Sequence, residues 1–141
     1  MNILFLCVAN SARSQIAEGL AKAMLGSNHN IHSAGSIPSG KVHPNAKDTM
    51  MDINIDISKQ YSKSINELDK FFMNNLDYVI TLCAEEVCPI LNNNAKKIHW
   101  LNPDPDNKLH SDLQLRTSFQ NTRNNISSLI KDFKISILNG E

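Results

Sequence analysis

The chain opens on an apolar run, Ile3-Leu4-Phe5-Leu6, that ends at Cys7 and gives way within a few residues to helical periodicity. This junction constrains the fold more than any other stretch. A continuous apolar run of strand length suits a strand covered on both faces, as in a parallel sheet. From about Ser11, residues Ile16, Ala17, Leu20, Ala23 and Met24 share one helical face. Between strand and helix lie Val8, Ala9, Asn10, Ser11, Ala12, Arg13 and Ser14, mostly small or short and polar. Such residues let a backbone turn its N–H groups inward around an anion. The helix N-terminus adds unpaired N–H groups and the positive end of its dipole. Both features favour a thiolate at Cys7. Arg13 offers a planar fork of donors suited to a tetrahedral oxyanion, and Ser14 can donate to the sulfur. Residues 8–14 thus read as a substrate cradle around a Cys7 nucleophile. Taken alone, Cys7 also fits a small buried hydrophobe and Arg13 a surface residue of a first helical turn.

The 141 residues are expected to form one catalytic domain over 1–133, with a frayed tail at 134–141. Lys and Arg number 14, as do Asp and Glu, so nothing marks the chain as a general nucleic-acid binder. No apolar stretch approaches the roughly 20 residues of a membrane-spanning helix, and Met1-Asn2 is not the basic start of a secretory signal. A cytoplasmic location is the expectation. Three cysteines are an odd number, and a cytosolic chain needs no structural disulfide, so they call for a chemical explanation.

The periodicity predicts strands at 3–6, 30–33, 77–82 and 95–100. Helices are predicted from about 11 to 25, stopping at Gly26, from Pro44 to about 51, from Ser64 to about 73, and from about 109 to 133. Ser64 and Glu67 have capping-box spacing. The alternation of Ile53, Ile55 and Ile57 would also suit a strand. Strands alternating with helices give an α/β order, and ligands of open parallel sheets sit at the strands' carboxyl ends. Cys7 and Cys83 both follow such ends, which places them on one edge of the sheet.

Cys83 and Cys88 separate two kinds of chemistry. A phosphatase needs one cysteine and an acid. A reductase must take two electrons from thiols and finish as a disulfide. Cys83 is positioned in sequence to attack Cys7, and Cys88 to take over by thiol–disulfide exchange. Bridging Cys83 and Cys88 asks the four residues between them to loop out of a short helical segment. The alternatives are a pair of core cysteines, or two ligands of a zinc site that lacks a second close Cys/His pair. Asp104, in Asn102-Pro103-Asp104-Pro105-Asp106, is the candidate general acid, with Asp106 as its neighbouring competitor. Asp in a proline-rich turn is also ordinary turn chemistry. His43 before Pro44 reads as a helix cap and His99 beside Trp100 as structural. The histidines show no metal spacing.

Cys7-x5-Arg13-Ser14 between a first strand and a first helix resembles the low-molecular-weight tyrosine phosphatase family. Thr81-Leu82-Cys83, Cys88-Pro89-Ile90-Leu91 and His99-Trp100 resemble its thioredoxin-coupled arsenate reductase branch, and with Ser33-Ala34-Gly35 the likeness runs over most of the chain. The resemblance implies a four-stranded parallel sheet with helices on both faces and an extended connection over 53–57. It matches the family's acid to Asp104-Pro105. It implies arsenate reduction through Cys7, Arg13, Cys83, Cys88 and Asp104, with thioredoxin as partner, a monomeric chain and no cofactor. The rival is a protein tyrosine phosphatase, which often carries an aromatic residue after the acid, where this chain has Asp106 and Asn107. A non-enzymatic oxyanion-binding module is the other rival, and it would have no need of Asp104. Some family members bind potassium behind the loop. The matching residues are Asn10, Glu18 and Ser33, while the family's aspartate falls on Lys63, so Lys63 either replaces the ion or is a solvated lysine of a polar connecting segment.

Overall fold

Asn2–Cys7 forms the first strand, β1, and its side chains serve two cores. Ile3 and Phe5 enter one cluster; Leu4 and Leu6 enter the other with Ala34, Leu68, Phe72 and Val79. Alternate residues of a strand face opposite sides, so a strand apolar at every position must be covered on both. The computed structural model describes residues 1–84, 89–91 and 93–140. The further elements are α1 (Arg13–Leu25), β2 (Asn30–Gly35), α2 (Pro44–Met51), a 3-10 turn (Ile65–Glu67), α3 (Lys70–Asn74), β3 (Tyr78–Thr81), β4 (Lys96–His99) and α4 (Asp112–Leu138).

The sheet has four parallel strands in the order β2-β1-β3-β4. Helices α1, α2 and α4 cover one face through Ile16, Leu20, Ala46, Met50, Phe119, Ile126, Ile130 and Phe133. The 3-10 turn's follower Leu68 and α3's Phe72 cover the other. The chain leaves β1 for β2 on one side and returns to the opposite side of β1 for β3. This reversal is the switch point at which open parallel sheets bind ligands. Cys7 ends β1 there, and Leu82 N donates to Leu6 O at 2.9 Å, so Cys83 emerges on the adjacent strand's end.

Four local expectations change. Strand two continues through Gly35, because Cys7 pairs with Gly35 at the end of the ladder. Helix one starts at Arg13, two residues later than its apolar pattern implied. The helix expected from Ser64 splits: the capping box closes only the 3-10 turn, and α3 begins anew where Asp69 accepts from Phe72 N at 3.0 Å. Helix four does not end at Phe133 but runs to Leu138, where Ile137 still packs on the core, so residues 134–138 are helical rather than frayed. Residues 53–57 form no strand; Ile57 is buried and Ile55 half-buried against α1 and α2 packing.

Candidate active site

The loop after β1 is held by its carbonyls. Val8 O accepts from Ile37 N, Ala9 O from Ser39 N and Ser11 O from His43 N, each at 2.9 Å. Asn10 O accepts from Gln15 Nε2 at 3.1 Å. A trans peptide points its C=O and N–H in opposite directions, so carbonyls engaged outward turn the N–H groups of residues 9–12 toward the loop's centre. Asn10 sits at φ +49°, a left-handed conformation that Asn tolerates better than most residues. Gly35 is required by contact: a Cβ there would lie 2.3 Å from Val8 O and 3.0 Å from Asn10 N.

Cys7 is a buried free cysteine. Its Sγ accepts from Asn10 N at 3.3 Å and lies 2.8 Å from Ser14 Oγ. Asn10 Nδ2 donates to Ser14 Oγ at 2.8 Å, which leaves the Ser14 proton free to point at the sulfur. A thiolate can only accept, so once Cys7 is ionised Ser14 is its donor.

Behind the loop lies a polar network. Asn10 Nδ2 also donates to Ser33 Oγ at 3.0 Å, and Ser33 Oγ donates to Glu18 Oε1 at 2.6 Å. Asn10 Oδ1 accepts from Lys63 N at 3.0 Å and from Gln15 Nε2 at 2.9 Å. Gly35 N donates to Lys63 O at 3.0 Å, so position 63 grips both the loop and the end of β2. The Lys63 ammonium is itself buried, 3.6 Å from Glu18 Oε1 and donating to Tyr61 O at 3.2 Å. Burial pushes its pKa down, and Glu18 opposes that shift. Asn10, Glu18, Ser33 and Lys63 therefore do converge. Potassium does not fit among them: an ammonium stands beside Glu18, and the Asn10 carbonyl oxygen is already taken by two N–H donors.

Arg13 is buried, and its Nη1 donates to Asn102 O at 2.9 Å and Leu82 O at 3.4 Å. It thus joins the nucleophile loop to the end of β3 and to the proline-rich loop. Asn102 is buried too, donating to Trp100 O and accepting from Asn125 Nδ2 of α4 at 2.7 Å. In that loop Asp104 is exposed and its Oδ1 accepts from Asp106 N at 3.0 Å. Asp106 Oδ1 faces His43 Nε2 at 3.3 Å, and His43 Nδ1 caps α2 by accepting from Asn45 N. Asp106 is committed to His43, whereas Asp104 faces solvent. His99 pairs with Thr81 Oγ1 at 2.7 Å, a structural contact.

Cys83 is buried at the end of β3 and is disulfide-bonded. Cys88, and the short helical segment expected before it, lie outside the described residues. Sequence reasoning missed Gln15, Gln60, Asn102 and the His43–Asp106 pair. Gln60 Nε2 donates to Gln15 O at 3.0 Å and Oε1 at 2.8 Å, fixing the residue that fixes Asn10. No spacing rule singles out such support; only proximity across 45 residues does.

A cysteine in a loop whose N–H groups turn inward, at the switch point of a four-stranded parallel sheet, defines a phosphatase-like α/β class. The chain belongs to the low molecular weight phosphotyrosine protein phosphatase family, whose match spans residues 2–136. Among its relatives is the arsenate reductase 2 of Staphylococcus haemolyticus, 42% identical over 134 residues, covering 94% of this chain and 95% of that one. A solved arsenate reductase in the phosphate binding state superposes with a TM-score of 0.76 at 31% identity, covering 96% of this chain and 97% of that one. A thioredoxin-dependent arsenate reductase of Corynebacterium glutamicum gives a TM-score of 0.68 at 28% identity, covering 95% of this chain and 62% of that one.

Proposed function

We propose that this chain is an arsenate reductase that works through a three-cysteine relay and is restored by thioredoxin. The observation that carries the reading is the joint placement of the Cys7 loop and Cys83 on adjacent strand ends, with Arg13 bridging both to the Asp104 loop. The similarity to proteins named arsenate reductase over nearly the whole chain supports it.

Arsenate enters the loop of residues 8–14, its oxygens met by inward N–H groups and by Arg13. The Cys7 thiolate attacks arsenic and forms an As–S bond. Asp104 gives its proton to the departing hydroxyl, which leaves as water. The Cys83 thiolate then attacks Cys7 Sγ. The As–S bond breaks with its electron pair on arsenic, which falls from As(V) to As(III) and leaves as arsenite. Cys88 attacks Cys83 and frees Cys7, and the resulting Cys83–Cys88 disulfide takes two electrons from the thioredoxin dithiol. A cytosolic location suits a cycle that draws on reduced thioredoxin. Among the described residues no helix is long and apolar enough to cross a membrane.

The test is NADPH consumption in a coupled assay with arsenate, thioredoxin and thioredoxin reductase. Unaltered chain should turn over, and Cys7→Ser should not, because a neutral hydroxyl cannot replace the thiolate. Absence of arsenate-dependent turnover, alongside rapid aryl phosphate hydrolysis, would shift the assignment to a phosphatase.

A further inference from the structure

Beneath the nucleophile loop lies a charge cluster that takes no direct part in the chemistry above. Glu18 and Lys63 are only 2% and 3% exposed. Charges at such depth are unfavourable unless paired and hydrogen-bonded. Glu18 Oε2 accepts from Lys22 Nζ at 2.6 Å at the rim of the site, while Oε1 faces both Ser33 Oγ and Lys63 Nζ. The Lys63 ammonium also lies 4.6 Å from the Tyr61 ring centroid.

The hydrogen bonds above Glu18 run in one direction. A carboxylate only accepts, so Ser33 must donate to it. Ser33 oxygen is then the acceptor for Asn10 Nδ2. The Lys63 backbone N–H can only donate, so the Asn10 amide presents its oxygen to Lys63 N and Gln15 Nε2, and its nitrogen to Ser33 and Ser14. The Ser14 proton is left for Cys7.

We propose that the Lys63 ammonium is the resident cation of this loop. It is a positioning residue that pairs with buried Glu18, the base of the Ser33–Asn10–Ser14 chain of hydrogen bonds that ends on Cys7, without any alkali cation. The inference rests on residues 7–14 being the reaction loop, but its test does not depend on turnover.

The experiment uses the purified full chain and its Lys63→Met and Lys63→Asp variants. Each is melted in potassium, sodium and choline chloride at equal ionic strength, and each is titrated calorimetrically with inorganic phosphate as the oxyanion probe. The unaltered chain should melt at one temperature in all three salts. Lys63→Met should melt roughly 10 °C lower and bind phosphate about tenfold more weakly, in every salt. Lys63→Asp should regain melting temperature and phosphate affinity in potassium but not in choline, because a carboxylate beside Glu18, Ser33 and Asn10 makes a cation site. A potassium-specific rise for the unaltered chain overturns the proposal. So does Lys63→Met with unaltered phosphate affinity, or a folded Lys63→Asp indifferent to the cation. If Lys63→Asp does not fold, the other two proteins decide. Loss of arsenate turnover with these results intact would refute the reductase reading alone.

Discussion

Ser14 is one hydroxyl with a defined direction. Its oxygen accepts from Asn10, and its proton is left for the Cys7 sulfur 2.8 Å away. A hydrogen bond to a charged group contributes about 1.5–3 kcal/mol. Ser14→Ala should therefore lower kcat/KM about tenfold to a hundredfold, and by a similar factor for arsenate and for an aryl phosphate, since both use the thiolate. Steady-state rates with both substrates check this. Gly35 acts through what it lacks. A methyl group there would press on the Val8 carbonyl at 2.3 Å, and backbone on both sides gives little. Gly35→Ala should shift the loop, weakening phosphate binding by at least about tenfold while the far-UV circular dichroism spectrum stays native. Unaltered phosphate affinity by calorimetry would count against the tight approach of β2 to the loop.

Between elements, β2 meets α3 where His32 stands edge-on to Phe72, with ring centroids 4.6 Å apart. Burial lowers the His32 pKa below 6.5; Glu18 and Asp69 pull it up, and Lys22 and Lys63 push it down. The folded chain therefore releases this proton at a lower pH than the unfolded chain. Between the folded value and 6.5 the unfolded state binds more protons, so stability rises with pH through that window. Below the window the cost of holding a half-buried cation persists, and above 6.5 it is gone. His32→Gln removes this contribution. The difference in melting temperature between the unaltered chain and the variant should move in favour of the unaltered chain as pH rises toward 6.5, then level off. A difference that is flat across pH 4.5–7.5, as read by calorimetric melts, would reject the assignment. Helix α4 shows the other way elements meet: Phe133 stands edge-on to both Tyr78 and Trp100, tying its last turns to β3 and to the residue after β4.

Over the whole molecule, the proposed relay spans two strand ends, while oxyanion hydrolysis uses one. Cys83→Ser and Cys88→Ser should each stop repeated arsenate turnover with thioredoxin. Both should retain aryl phosphate hydrolysis within about threefold of the unaltered chain, because in the proposed mechanism that reaction engages only Cys7, Arg13 and Asp104. Normal arsenate turnover by both variants would remove the relay. Arg13 ties these segments together, since one guanidinium nitrogen holds the carbonyls of Leu82 and Asn102, 20 residues apart in sequence.

The strand–loop–helix junction at Cys7 was legible because its information is local. An apolar strand, small loop residues and a helical pattern occupy consecutive positions, and the backbone of residues 7–14 can fold only a few ways between them. The parallel sheet was legible for the same reason, from the unbroken apolar run Ile3-Leu4-Phe5-Leu6. The helix ends at Asp69 and Leu138 were not, because the contacts of Phe72 and Ile137 with distant core residues outweigh local periodicity. Strand order was decided by the tertiary structure alone: sequence placed Cys7 and Cys83 on one edge, and only the pairing of β1 with β3 made them neighbours. The same holds beneath the loop. The sequence put Lys63 in a polar connection, where lysines are usually solvated. Only the packing of that connection under α1 and β2 buries its ammonium 3.6 Å from Glu18, because a charge pair depends on distance in space and not along the chain.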